Sequence, residues 1–103
     1  PGFTDHPNHA IAKKQMKDAG GLFSIVLRAK TVDDVEKFCN SLKHFLLAVS
    51  WGGHESLVIP SVIGFPAKDF DTANVNHRLI RFYIGLEDPD YLIEDLKKGL
   101  DSF

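Results

Sequence analysis

Between Leu79 and Leu86 the chain alternates: Ile80, Phe82, Ile84 and Leu86 fall on one side of an extended backbone, Leu79, Arg81 and Tyr83 on the other. This predicts a strand with one packed face and a guanidinium directed away from it. A second alternation, after a break at Gly20 and Gly21, sets Phe23, Ile25 and Leu27 against Leu22, Ser24, Val26 and Arg28 and predicts another strand. Between the two the period lengthens. Val35, Phe38, Cys39, Leu42, Phe45 and Leu46 recur at helical spacing as one broad apolar stripe. Thr31 followed by Asp34 predicts a capping box at the start of that helix, with aspartate in place of the stronger glutamate. A last helix is predicted from Asp88 as cap and Pro89 in the first turn, burying Leu92, Ile93, Leu96 and Leu100 and ending at Gly99 and the terminus. A short first helix is predicted after Asp5 or His6, with Pro7 in its first turn and Ile11, Gln15 and Met16 at helical spacing.

The apolar run Leu47–Val49 extends into Ser50, and Gly52 with Gly53 permits a tight turn before the next short strand, Glu55–Ile59. Pro60 ends that strand. Residues 60–78 carry Gly64 and Pro66 and no clear period, and loops of such length are usually functional or mobile. The order helix, strand, helix, strand, strand, helix predicts an α/β (α+β) two-layer sandwich. Its sheet is short and mainly antiparallel, its helices lie on one face, and its other face is left for a neighbour. No repeat or linker divides the chain, so residues 1–103 read as one domain.

Composition narrows the partners. A formal net charge of −2 with acids and bases intermixed gives no basic field for nucleic acid and no polybasic patch for a membrane. No apolar run approaches the roughly 20 residues of a spanning helix, and there is no charged-then-apolar leader, so the chain reads as cytoplasmic. A start at Pro1 rather than methionine suggests a processed, cloned or truncated product, so a fragment is expected. Cys39 is the one cysteine, which excludes an intrachain disulfide and a sulfur zinc site, and on the helix stripe it reads as a small hydrophobe. Of His6, His9, His44, His54 and His77 only the first two share helical spacing, with no carboxylate or thiol to complete a site. All five read as surface histidines, no metal is expected, and Lys13 with Lys14 reads as a solvated helix face.

Arg81 is the leading candidate for chemistry. It is charged at any relevant pH and presents a planar fork matched to a carboxylate or phosphate. On residue pattern alone, an internal ion pair with Glu55 or Glu87 is the plainer account. Ser50 and Trp51 precede the glycine pair, where a turn exposes a hydroxyl and an indole to a cleft; the duller alternative is a turn-capping serine and a core tryptophan. Glu55, beside the same turn, reads as a partner for backbone amides or a base and not as a catalytic acid.

The residues Ser50, Trp51, Gly52, Gly53, His54, Glu55, Ser56 and Leu57, then Leu79, Ile80, Arg81 and Ile84–Asp88, together closely resemble the C-terminal domain of the Cys/Met metabolism family of pyridoxal 5'-phosphate enzymes. Pro1, Gly2, His6, Pro7, His9, "AKKQM" and "GGLFSIVL" resemble the start of the same domain, so the likeness spans nearly the whole chain. Within the family, tryptophan after the serine is similar to the cystathionine β-lyases; many relatives carry leucine there.

The resemblance reverses the reading of Arg81, because the family's arginine in this strand grips the α-carboxylate of the amino-acid substrate. It also implies substrate-binding roles for Ser50, near the Schiff-base lysine, and for Trp51. The lysine, the aspartate on the pyridinium nitrogen and the phosphate cradle belong to the family's preceding domain. None can be matched here, so no catalytic residue is assigned and no cofactor is expected to bind this chain alone. The parent implied is a homotetrameric carbon–sulfur lyase that converts cystathionine to homocysteine, pyruvate and ammonia. Two alternatives stay open: another family reaction (γ-synthase, γ-lyase or sulfhydrylase of an acylated homoserine), or a stand-alone module that binds a small molecule or a protein.

Overall fold

Pairing on both edges makes the Arg81 strand the centre of the molecule. In the computed structural model, which describes residues 1–103, it is β4 (Leu79–Tyr83). It lies between β1 (Leu22–Val26) and β3 (Leu57–Pro60), antiparallel to both, and β2 (Leu46–Leu47) joins β3 in parallel, giving the order β1-β4-β3-β2. Two of the three pairings are antiparallel, as the sequence predicts. Register places Phe23 and Val58 on either side of Phe82, and Ser24 and Ile59 on either side of Arg81. Because side chains alternate across a strand, Ile80 and Phe82 share one face and Leu79, Arg81 and Tyr83 the other.

The Phe82 face is covered by α2 (Val32–Ser41) and α3 (Pro89–Leu100), which supply Val35, Phe38 and Leu92 to the core. Phe82 is its hub, meeting the rings of Phe38 and Phe45 edge-on at 6.4 and 5.2 Å and stacking on Phe23 at 5.7 Å. Such pairs add to the stabilisation from area burial. Helix α1 (His9–Gln15) buries none of its residues.

The capping box of α2 is present in full: Thr31 Oγ1 accepts from the Asp34 N–H, and Asp34 Oδ2 accepts from the Thr31 and Lys30 N–H groups at 3.1 and 2.8 Å. Asp88 caps α3, and Pro89 opens it.

Several boundaries differ from the periodicity, each for a tertiary reason. Helix α2 stops at Ser41 although the apolar spacing runs on to Leu46. The carboxylate of Asp95, buried on α3, accepts the N–H groups of Lys43 and His44 at 2.8–3.0 Å. These bonds draw the chain out of helical geometry, Phe45 tucks into the core from a turn, and Leu46 enters the sheet. On α3 only Leu92 of the predicted stripe is fully buried; Leu96 is half-buried, and Ile93 and Leu100 are exposed. Asp95 and Gly99 take the inner positions instead. Gly99 is the penultimate residue of the helix, which ends at Leu100, and a Cβ there would sit 2.8 Å from Leu42 Cδ2.

The α1 cap is Asn8, without a side-chain bond, in place of Asp5 or His6. Strand β4 ends at Tyr83, so Ile84 is only half-buried and Leu86 is 85% exposed. Pro60 closes β3, and residues 61–78 hold no α-helix or strand but three short 3-10 turns, at Ser61–Gly64, Ala67–Asp69 and Val75–Arg78.

Candidate functional site

The uncovered sheet face carries two polar groups from one strand. Arg81 and Tyr83 stand two residues apart on β4, opposite Ile59 and Leu57 of β3. Both reach toward the segment that links β2 to β3. The Arg81 guanidinium donates to the Val49 carbonyl, and the Tyr83 hydroxyl donates to the Gly53 carbonyl at 3.0 Å. Ser50, Trp51 and Gly52 lie between these two points. Gly52 has φ +88°, the sole left-handed backbone in the chain, which glycine adopts at least cost. The turn therefore projects Ser50 and Trp51 outward, and both are exposed, Trp51 by 62%. The core-tryptophan alternative is thereby overturned. Arg81 also lines an open concavity of about 340 Å³ with Ile59, Ser61 and Leu79.

The internal ion pair considered for Arg81 does not form. Glu55 instead meets His54 Nδ1 at 3.0 Å, and Glu87 accepts from the Ser56 N–H and hydroxyl, both at 2.7 Å. No acid of the chain pairs with the guanidinium. Its planar fork keeps N–H donors beyond the one on the Val49 carbonyl that sets its direction.

Behind the turn lies a tight junction that sequence reasoning did not single out. Ser56 is fully buried, and its hydroxyl accepts from the Gly85 N–H at 2.9 Å while donating to Glu87. The Leu86 N–H donates to the His54 carbonyl at 2.8 Å. Gly85 must be glycine for space, since a Cβ would run into the His54 carbonyl and the Glu55 backbone. The one available signal was Ser56 itself, a polar residue at the head of an apolar strand.

Other candidates fall away on position. Cys39 is half-buried and lines an apolar cavity of about 400 Å³ between α2 and the 60–67 segment; burial pushes its thiol up to about 11, far from a reactive thiolate. The histidines are dispersed: His9 bonds to the Pro1 carbonyl, His44 stacks on Tyr91, and half-buried His77 accepts the Asp71 N–H and packs on Phe65.

Pyridoxal phosphate, which the sequence likeness implies for the parent, does not fit the residues of this chain. A Schiff-base lysine is desolvated and faces its cofactor. Here every lysine is exposed, and none lies on β4 or in the 49–55 segment. No glycine-rich loop cradles a phosphate.

Residues 1–101 match the family described as Cys/Met metabolism PLP-dependent enzyme. Among curated proteins, the chain is 38% identical to cystathionine gamma-lyase of Mus musculus, over 99% of this chain and 26% of that protein. It is 37% identical to cystathionine beta-lyase of Lactococcus lactis subsp. cremoris, over 99% of this chain and 27% of that protein. Among solved structures, cystathionine gamma synthase of Xanthomonas oryzae pv. oryzae in complex with cystathionine superposes with a TM-score of 0.81 at 34% identity, covering 99% of this chain and 27% of that one. The chain thus spans about a quarter of the length of the relatives it matches.

The junction behind the turn is pH-sensitive. Partial burial pushes the Glu87 carboxyl up, and the bonds from the Ser56 hydroxyl and N–H outweigh it, leaving Glu87 below its ordinary value of 4.5. A carboxyl lowered in the folded state stabilises the fold above its unfolded value and loses that contribution as pH falls through the folded one. Urea midpoints should therefore be flat from neutral pH down to about 4.5 and fall below it, with a shallower acid slope in Glu87→Gln. An unchanged slope in the variant would show that these bonds are not its source.

Proposed function

The chain belongs to the Cys/Met metabolism PLP-dependent enzyme family, and from that premise we propose that it is the C-terminal, substrate-gripping domain of a carbon–sulfur lyase acting on cystathionine. The observation that carries this reading is the unpaired Arg81 guanidinium, aimed along the open sheet face beside an exposed Ser50–Trp51 turn. An arginine that finds no acid in its own chain, yet is held in direction by a backbone carbonyl, is prepared for an acid from outside.

In this reading Arg81 takes the α-carboxylate of the substrate. The two parallel hydrogen bonds fix rotation about Cα, so the proton to be removed is presented in one orientation. Ser50 lines the site from the start of the turn. Trp51 presents an apolar plate that excludes water from one side of the substrate and shapes the space for the sulfur-bearing arm. The electron sink for the elimination is the pyridoxal phosphate of the parent, held outside this chain. The preceding domain that holds it would cover the open face, the parent would be a cytoplasmic homotetramer, and no helix here is long and apolar enough to cross a membrane.

The finer assignment is β-elimination, giving homocysteine, pyruvate and ammonia, and it rests on Trp51 after Ser50. γ-Elimination is the second reading, favoured by the γ-lyases among the relatives. Identities of 38% and 37%, each over 99% of this chain, do not separate the two. Product analysis with cystathionine does: pyruvate is expected, and 2-oxobutyrate would replace the finer assignment with the second.

The carboxylate role has its own test. In the full-length enzyme, Arg81→Ala should lower kcat/KM by about 30-fold or more, the size of a lost charged hydrogen bond. Arg81→Lys should restore only part, because a point charge lacks the fork. A loss of less than about tenfold in Arg81→Ala would overturn the role.

A further inference from the structure

We propose that Tyr83 is a positioning residue that holds the Ser50–Gly52 turn in place through its hydroxyl bond to the Gly53 carbonyl. The consequence for catalysis rests on the substrate-site reading above; the tether itself does not.

The turn is fixed at two points. On its N-terminal side, the Val49 carbonyl accepts from Arg81; on its C-terminal side, the Gly53 carbonyl accepts from Tyr83 at 3.0 Å. Both donors come from the same face of β4, two residues apart, so the turn is suspended from a single central strand. These tethers differ in one respect. Arg81 is also the group offered to a substrate, so its donors are divided between the Val49 carbonyl and a carboxylate. Tyr83 has one hydroxyl proton, and it is spent on Gly53. The tyrosine is therefore the tether with no second duty.

What lies between the tethers needs such a hold. Ser50, Trp51, Gly52 and Gly53 are all exposed, and Trp51 is not anchored in the core. Gly52 at φ +88° leaves the backbone free to adopt other conformations. Nothing in the packing of the turn fixes the indole, so its placement depends on the bonds at the ends. The Tyr83 ring, opposite Leu57 on β3 and Leu22 on β1, gives the hydroxyl a rigid base in the sheet. Orientation of a substrate-contacting side chain through a neighbour's hydrogen bond is felt as weaker binding more than as slower chemistry.

The test is Tyr83→Phe, which removes one oxygen and keeps the ring. In the full-length enzyme, amide exchange at Leu86, whose N–H is held by the His54 carbonyl beside the tether, should speed up by about threefold or more. Exchange at Ile80 and Phe82 should stay unchanged, which shows that the strand remains folded. With cystathionine, KM should rise about 3- to 10-fold, the effect of one neutral hydrogen bond, with kcat within about twofold. Arg81→Lys is measured alongside. Faster exchange at Leu86 with a raised KM upholds the inference. Faster exchange while both Arg81→Lys and Tyr83→Phe leave KM unchanged upholds the tether and overturns the substrate-site reading. Unchanged exchange at Leu86 overturns the tether, whatever Arg81→Lys does.

Discussion

The hydroxyl of Ser56 is the point on which the site depends. It is completely buried, where an unmade hydrogen bond costs about 1–3 kcal/mol, and so it must be satisfied on every side. Glu87 and the N–H of Gly85 satisfy it, and in doing so they bind the exit of β4 to the entrance of β3. Gly85 can come this close only because it has no side chain. With that junction closed, the chain between β2 and β3 has one remaining freedom, the turn at residues 49–53, and β4 holds it from Arg81 and Tyr83. The core, the junction and the turn are thus successive layers around a single strand. The inner face of β4 packs Phe82 among three other aromatic rings, and its outer face carries the two tethers.

This division of labour explains why a charged residue is tolerated at the centre of the sheet. The arginine faces away from the helices, retains partial contact with solvent, and has one carbonyl to orient it. An ion pair with Glu55 or Glu87 would have consumed the fork, and both acids are engaged elsewhere, with His54 and Ser56. The proposed carboxylate role of the guanidinium rests on membership of a PLP-dependent family and not on the isolated fold. Fold alone would leave that purpose open, because small α+β sandwiches serve many ends.

How much of this could be read in the chain follows from how local each cause is. The two main strands, the α2 capping box and the Asp88–Pro89 start of α3 were legible, since alternation, capping and proline placement act within a few residues. Arg81 was legible as a charge on the unpacked face for the same reason. The end of α2 was not, because the spacing of Phe45 suits a helix and a tucked turn equally, and the deciding group, Asp95, lies 52 residues from Lys43. The α3 stripe misled similarly. Ile93 and Leu100 have helical spacing, but the close approach of α2 selects Gly99 for the inner face. Glu87 and Ser56 are 31 residues apart, and Tyr83 binds a backbone carbonyl, a partner every residue offers. Neither pairing leaves a local mark. The proposed substrate roles of Arg81, Ser50 and Trp51 came from family likeness and not from any local pattern; Ser50 and Trp51 are exposed and Arg81 is half-buried.

The central claim is that Arg81 holds the α-carboxylate of the substrate, and a cycle that alters both partners tests it most directly. kcat/KM would be measured for cystathionine and for its carboxamide analogue, altered only on the half that bears the reacting Cα, in the full-length enzyme and in Arg81→Ala. If the two groups meet, neutralising the carboxylate costs the parent enzyme about 30-fold and costs the variant almost nothing further, because the interaction is already lost. An equal loss in both proteins would contradict the account, since it would mean that the carboxylate is recognised elsewhere.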